Sequence, residues 1–298
     1  MRNLNLLSGS ISHSPVMTPL TQFVIFSDLD GTLLDGTTYS FEAATEALQA
    51  LHSRRVPVVL VTSKTRAEIE PLRFRLQLDH PFVVENGGGI VIPKGYFPFP
   101  IDHAVLRGAY QVVELGVPYA QLRATIKELQ QSFGRAVRGL GDLTTDEIAQ
   151  HTGLSQSEAH LAKQREYDEP FLVPEPADVA ERVRLEIEKR GFQCVAGGRF
   201  YHLMGAHDKG QAVRLLMDWY RRHYGNDHRE LVAVAVGDSP NDLPMLAVVD
   251  RPFLVQRPDG SFDDRVHLPR LNHVPAPGPT GWNRLVLDLL QNTADSHG

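Results

Sequence analysis

The sequence predicts an α/β protein: a doubly wound, mainly parallel sheet with an inserted α+β unit. Three observations carry that expectation. Four short runs are apolar on successive residues rather than alternately, as strands buried on both faces of a parallel sheet are. Segments with a helical apolar period lie between them. The alternation then stops between Gly89 and Gly205 and resumes at Asp208.

The apolar runs are Phe23 to Phe26, Val56 to Val61, Phe82 to Val84 and Leu231 to Val236. Each is followed at once by polar residues: Ser27-Asp28, Thr62, Glu85-Asn86-Gly87 and Gly237-Asp238. Open α/β sheets place ligands at those carboxyl ends. Phe41, Ala44, Leu48 and Leu51 share one helical face, with Ser40 as the expected N-cap. Thr65-x-x-Glu68 is a capping box opening the next helix. Val213, Leu216, Met217 and Tyr220 line a third helix, capped by Asp208, and Pro240 suits a first helical position.

In the interruption, Gln111 to Leu115 reads as a strand and Leu122, Ile126, Leu129 and Phe133 as a helix face. Capping boxes follow at Thr144-x-x-Glu147 and Ser155-x-x-Glu158, then a helix with Val179, Val183 and Ile187 that ends at Gly191. The stretch 192–204 reads as strand, two-residue Gly197-Gly198 turn, strand. The expected division is a loose tail at 1–20, a discontinuous core at 21–116 and 204–298, and an α+β insert at 117–203. After Arg251 the chain is rich in Pro and Gly until a last helix near Trp282 to Leu290.

Composition excludes several classes. The 298 residues are 42% hydrophobic and 22% charged, with a formal net charge of -6. No basic surplus or polybasic run argues for nucleic acid or an anionic membrane. No apolar run reaches the roughly 18 residues of a membrane span. Cys194 is the only cysteine, so an intramolecular disulfide is impossible and a reducing, cytoplasmic location is expected. The expected partner is a small molecule, bound by a monomer or homodimer.

Asp28-Leu29-Asp30-Gly31-Thr32 follows the first strand. Alone, such a stretch makes an ordinary turn. At a strand end, two carboxylates can converge, one as a nucleophile and one as an acid and then a base. Gly237-Asp238-Ser239-Pro240-Asn241-Asp242 supplies two more carboxylates, more than a helix cap needs. That many hard oxygen donors suggest magnesium, held by Asp28, the Asp30 carbonyl and Asp238, with Asp242 orienting them. Thr62 can bond a phosphoryl oxygen, and Lys209, at a helix start, can offset its charge.

Asp28/Asp30, Thr62, Lys209 and Asp238/Asp242, in that order, resemble the haloacid dehalogenase superfamily. The resemblance implies an aspartyl-phosphate mechanism, with Asp28 the nucleophile, Asp30 the acid and base, and the insert a substrate-reading cap. Further segments resemble the mannosyl-3-phosphoglycerate phosphatase family within it: 62–65, 85–89, 141–144, 165–169, 197–202 and 275–279. That implies a substrate with a carboxylate and a sugar beside the phosphate. Lys64, Arg165 and Arg199 are candidates for the carboxylate. Glu85, Asn86, Asp142, Glu166 and Asp168 are candidates for the sugar hydroxyls, and Gly87-Gly88 for close backbone approach. Ser63, Tyr201 and Asn241 complete the expected substrate-binding set. The alternatives are another sugar phosphate, of the glucosyl-3-phosphoglycerate or sucrose-phosphate type, or a phosphohexomutase.

Overall fold

The structure is a computed structural model that describes residues 21–134, 137–173, 177–196, 200–225 and 230–295. The expected tail at 1–20, the Gly197-Gly198 turn and Arg199 lie outside the described residues. The chain begins with β1 (Thr21–Ser27), α1 (Thr45–Ser53), β2 (Val58–Val61), α2 (Arg66–Leu76), β3 (Phe82–Val84), β4 (Gly89–Pro93), β5 (Val105–Arg107) and β6 (Tyr110–Glu114). It continues with α3 (Tyr119–Phe133), β7 (Arg138–Gly139), α4 (Thr145–Thr152), α5 (Gln156–Ala162), β8 (Asp168–Leu172), α6 (Ala177–Lys189), β9 (Gln193–Ala196) and β10 (Tyr201–Met204). It closes with α7 (Lys209–Tyr224), β11 (Glu230–Gly237), α8 (Leu243–Leu246), β12 (Arg251–Gln256), β13 (Asn272–Pro277) and α9 (Gly278–Asp295).

One sheet has the strand order β13-β12-β11-β1-β2-β3-β4-β6-β5. Its first six strands are mutually parallel, and the remaining three pair antiparallel. The continuous apolar runs follow from burial on both faces. On β1, Phe23 and Ile25 pack with Leu48 and Leu51 of α1, Ile69 of α2 and Trp282 of α9. Val24 and Phe26 pack on the other face with Val213, Leu216 and Tyr220 of α7. A strand buried on one face only would alternate with polar residues.

A second, antiparallel sheet runs β7-β8-β10-β9. Leu122, Ile126 and Leu129 of α3 and Val183 and Ile187 of α6 cover one side of it, against Phe171 and Leu203. The caps expected at Thr65, Thr144, Ser155 and Asp208 all form.

Three expectations are corrected. Ser40 does not cap α1. A 3-10 turn, Glu42–Ala44, precedes that helix, and Ser40 Oγ accepts from the Glu42 N–H at 3.2 Å. The segment after Arg251 contains two parallel strands, β12 and β13, and the last helix begins at Gly278 rather than near Trp282. Pro275 and Pro277 fit because β13 lies at the sheet edge, where a missing N–H breaks no ladder. Among the described residues, no helix is long and apolar enough to cross a membrane.

Candidate active site

The strand order β11-β1-β2 brings three polar strand ends side by side. Ser27 is opposite Val236 on one neighbour and Leu60 on the other. Asp28, Asp238 and Thr62 therefore emerge together at the carboxyl edge. The turn after β1 is fixed locally. The Asp28 N–H donates to the Val236 carbonyl at 3.0 Å, and Gly31 takes φ +84°. A Cβ at Gly31 would stand 2.7 Å from Asp238 Oδ2, so glycine lets that carboxylate close over the turn. Trp282 Nε1 donates to Ser27 Oγ at 3.0 Å, which ties α9 to the same strand end.

Lys209 opens α7 and is buried. Gly210 behind it is packed so closely on the Pro244 carbonyl that a Cβ would lie 2.2 Å away. That contact sets the first turn of α7 against 240–246. Lys209 Nζ donates to Asp28 Oδ1 at 2.6 Å and to Asp242 Oδ1 at 2.8 Å. The other Asp242 oxygen accepts from the N–H groups of Asp238, at 3.0 Å, and Ser239, at 3.2 Å. Thr32 Oγ1 donates to Asp238 Oδ1 at 3.3 Å.

Burial first, then the Asp242 charge, pushes the Asp28 carboxyl well up from its ordinary range, with Lys209 opposing. The same causes push Asp238 up to about 7. Burial would lower the Lys209 ammonium, but Asp242 and Asp28 override it and hold it above its usual value. Asp28, Asp238 and Asp242 each offer an oxygen within 4.8 Å of the others. Three crowded carboxylates against one ammonium leave two negative charges over. A hard divalent cation with oxygen ligands fits that donor set.

Asp30 Oδ2 is 2.9 Å from Lys64 Nζ, while its Oδ1 is buried with no hydrogen-bond partner among the described residues. Burial would lower the Lys64 ammonium, yet the Asp30 and Glu68 charges hold it above its ordinary value. Thr62 is buried, and its Oγ1 accepts from the Lys64 N–H at 3.2 Å.

Two adjoining chambers open from these groups. One, of about 420 Å³, is lined by Asp28, Asp30, Asn86, Asn241 and, on the β12–β13 connection, Arg257 and Arg265. The other, of about 430 Å³, runs under α4 and α5 and is lined by Tyr39, Lys64, Ile148, Leu154, Arg165 and Phe200. Asp30, Ser63 and His202 border both. The structure thus brings together Asp28, Asp30, Ser63, Lys64, Asn86, Arg165, Lys209, Asp238, Asn241 and Asp242, with Thr62 at the adjacent strand end.

Other expected binding residues are spent elsewhere. Glu85 is buried, and its carboxylate accepts from the N–H groups of Glu166, Tyr167 and Asp168, each at 2.8 Å. Burial pushes it up to about 7 against the Arg165 charge. It ties the end of β3 to the loop before β8 and does not face the chambers. Gly87 and Gly88 meet protein, not ligand: Cβ atoms there would lie 2.2 Å from the Asp208 carbonyl and 2.4 Å from Tyr167 Cβ. Asp142 is held by Arg123, by Lys127 and Gln130, each at 2.7 Å, and by the Gly139 N–H at 3.1 Å. Glu166 accepts twice from Arg66, at 3.1 and 3.2 Å. Tyr201 packs against Phe171 on the helix-covered side of β10, because alternation turns its neighbour His202 to the cleft. Asp168 is buried behind the cleft, between Arg165 at 2.6 Å and His202 at 2.7 Å.

Sequence reasoning did not single out His202, Arg257 or Arg265 as site residues. The alternation Tyr201-His202-Leu203 could have marked His202 as facing away from Leu203. The two arginines follow β12, a strand that the proline-rich pattern concealed, and both pair with the buried Asp263.

A family model described as haloacid dehalogenase-like hydrolase matches residues 25–100. A glucosyl-3-phosphoglycerate/mannosyl-3-phosphoglycerate phosphatase of Methanococcoides burtonii is 43% identical over 267 residues, covering 90% of this chain and 97% of its own. A mannosyl-3-phosphoglycerate phosphatase of Pyrococcus furiosus is 40% identical, covering 78% of this chain and 90% of its own. Among solved structures, a Thermoplasma acidophilum protein superimposes with a TM-score of 0.64 at 18% identity, over 91% of this chain and 99% of that one.

Proposed function

Since the chain belongs to the haloacid dehalogenase-like hydrolases, and within them to the glucosyl-3-phosphoglycerate/mannosyl-3-phosphoglycerate phosphatases, we propose that it hydrolyses mannosyl-3-phosphoglycerate, and its glucosyl counterpart, to the glycosylglycerate and phosphate. The enzyme class is phosphoric monoester hydrolase. The observation that carries the mechanism is the meeting of separated chain segments at one sheet edge. Lys209 bridges Asp28 and Asp242, and Asp238 stands beside them.

Asp28 is the nucleophile. One of its oxygens forms a bond to phosphorus as the bond from phosphorus to glycerate O3 breaks, and Asp30 gives its proton to O3. Asp30 then takes a proton from water, whose oxygen attacks the aspartyl phosphate. The bond between phosphorus and Asp28 breaks, and inorganic phosphate leaves. Lys209 favours the ionised form of Asp28 and neutralises charge on the phosphoryl oxygens, with Thr62 positioning one of them. Magnesium, held by Asp28, the Asp30 carbonyl and Asp238 with Asp242 behind them, would supply the remaining positive charge. Residues 117–203 act as a cap that closes over the substrate on the core formed by 21–116 and 204–298, and excludes bulk water.

Phosphate release from a panel of esters tests this reading. Glucosyl- and mannosyl-3-phosphoglycerate are expected to be turned over with the highest kcat/KM, ahead of sucrose phosphate and hexose phosphates. Preference for a substrate without the carboxylate overturns the phosphoglycerate assignment. Transfer of phosphate between sugar hydroxyls without release overturns hydrolysis.

A further inference from the structure

The two chambers meet at an opening bordered by Asp30, Ser63 and His202. A glycosyl-3-phosphoglycerate branches in the same way. Its phosphate occupies O3 and its carboxyl is C1, so the sugar must sit on O2. Three arms leave C2. Phosphorus must reach Asp28, which lines the first chamber. The sugar needs room and a face to stack on. The second chamber provides both, with Tyr39 and Phe200 in its wall beside Ile148 and Leu154. C2 then lies at the shared opening, where Asp30 must also be to protonate O3. The third arm, the carboxylate, is left facing the other groups there.

Among the described residues, the cationic side chains other than His202 that line the chambers are already engaged. Arg257 and Arg265 pair with Asp263. Lys64 holds Asp30 at 2.9 Å. Arg165 is spent on Asp168 at 2.6 Å and on the Ser63 carbonyl at 3.2 Å. His202 differs. Its Nδ1 is 2.7 Å from Asp168 Oδ2, and that carboxylate is buried. The contact fixes Nδ1 as the donor and leaves Nε2 as the ring atom for the cleft. Asp168 is itself placed by the Glu85 carboxylate, which accepts its N–H at 2.8 Å. His202 is therefore oriented through a continuous series of contacts from the end of β3 into the insert.

Resting on the reading above, we propose that His202, oriented by Asp168, binds the glycerate carboxylate at the fork of the cleft and so selects phosphoglycerate esters over plain sugar phosphates. With a proton on each ring nitrogen, His202 would donate from Nδ1 to Asp168 and from Nε2 to the substrate carboxylate, and each bond is then charge-assisted. Asp168 is a positioning residue in this arrangement.

The test compares each glycosyl-3-phosphoglycerate with the matching 2-O-glycosyl-glycerol 3-phosphate, in which CH2OH replaces the carboxylate. The wild-type protein is expected to favour the carboxylate substrate in kcat/KM by about ten- to hundredfold, the range of one hydrogen bond to a charged group. His202→Gln is expected to bring that ratio to within about threefold, whatever else it does to absolute rates. Asp168→Asn keeps an acceptor for Nδ1–H and removes the charge. It is expected to raise KM for the carboxylate substrate while leaving KM for the analogue and kcat nearer the wild-type values. A wild-type ratio kept by His202→Gln overturns the proposal. If that variant does not fold, equal KM changes for both substrates in Asp168→Asn overturn it instead. A wild-type protein inert toward both substrates overturns the parent reading, which is a different result.

Discussion

Lys209 Nζ lies 2.6 Å from Asp28 Oδ1, with both groups buried. The pair is stable only because Asp242 shares the ammonium at 2.8 Å and is itself fixed by two N–H groups. An isolated buried ion pair does not recover its desolvation cost without such extra bonds. Lys209→Met removes the one cation that contacts both Asp28 and Asp242 among the described residues. It is expected to lower kcat by about 10²–10³ at saturating substrate and metal. Steady-state phosphate release checks this, with a spectroscopic melt to show that the variant is folded.

Asp30 has one oxygen on Lys64 and one buried without a partner among the described residues. That free oxygen suits a proton carrier. Asp30→Asn is expected to lower turnover of the natural ester by about 10²–10⁴. With p-nitrophenyl phosphate, whose leaving group needs little protonation, the first step proceeds and the second stalls. Intact-protein mass spectrometry is then expected to detect phosphate covalently held on Asp28. Finding none, with unchanged turnover, removes Asp30 from the acid–base role.

The crowded carboxylates Asp28, Asp238 and Asp242 repel one another, and burial strengthens the effect. A divalent cation that binds only the folded chain stabilises it in proportion to the logarithm of its concentration. Chelation is expected to abolish phosphate release and lower Tm, and added magnesium is expected to restore both. Full activity in excess chelator contradicts the metal assignment.

Much of the core was legible because burial on both faces leaves a continuous apolar mark. Phe23 to Phe26 has no polar residue to hide its two packing partners, and four helix caps were readable from local chemistry alone. β12 and β13 were not. Neither Arg251-Pro252 nor Asn272-His273 opens its strand with an apolar run, and Pro275 and Pro277 are tolerated only because β13 is the edge strand. The residues proposed to be catalytic were legible because they follow strand ends or open a helix. The substrate side was harder. Glu85, Asp142, Glu166 and Asp168 look like ligand donors in sequence, but ion pairs and loop N–H groups consume their oxygens. Their partners include residues 81 and 100 positions away. Pairing at that distance leaves no local signal.

Gly87 shows the same point from the side of stability. Glu85, Asn86 and Gly87 all have positive φ, at 49°, 56° and 100°. The strain is held by the three bonds from residues 166–168 to the Glu85 carboxylate. Gly87→Ala adds a Cβ 2.2 Å from the Asp208 carbonyl, and backbone cannot move aside as a side-chain tip can. The expected cost is about 3 kcal/mol or more. Denaturant unfolding measures it. A loss under about 1 kcal/mol means that the loop relaxes.

Asp142 gives a prediction in pH. Burial opposes ionisation, but Arg123, Lys127 and Gln130 override it and hold the carboxyl well below its ordinary 3.8. The folded state therefore binds this proton less readily than the unfolded chain. Its contribution is complete above about pH 4 and is lost as pH falls below that value toward the folded pKa. Asp142→Asn is expected to flatten the dependence of Tm on pH below about pH 4. At neutral pH it should lower Tm by roughly 2–4 °C, since the cluster is partly solvated. Because the carboxylate lines neither chamber, kcat/KM is expected to stay within about twofold, far from the 10²-fold loss of removing a catalytic donor. A large rise in KM with an unchanged acid limb would return Asp142 to the substrate site.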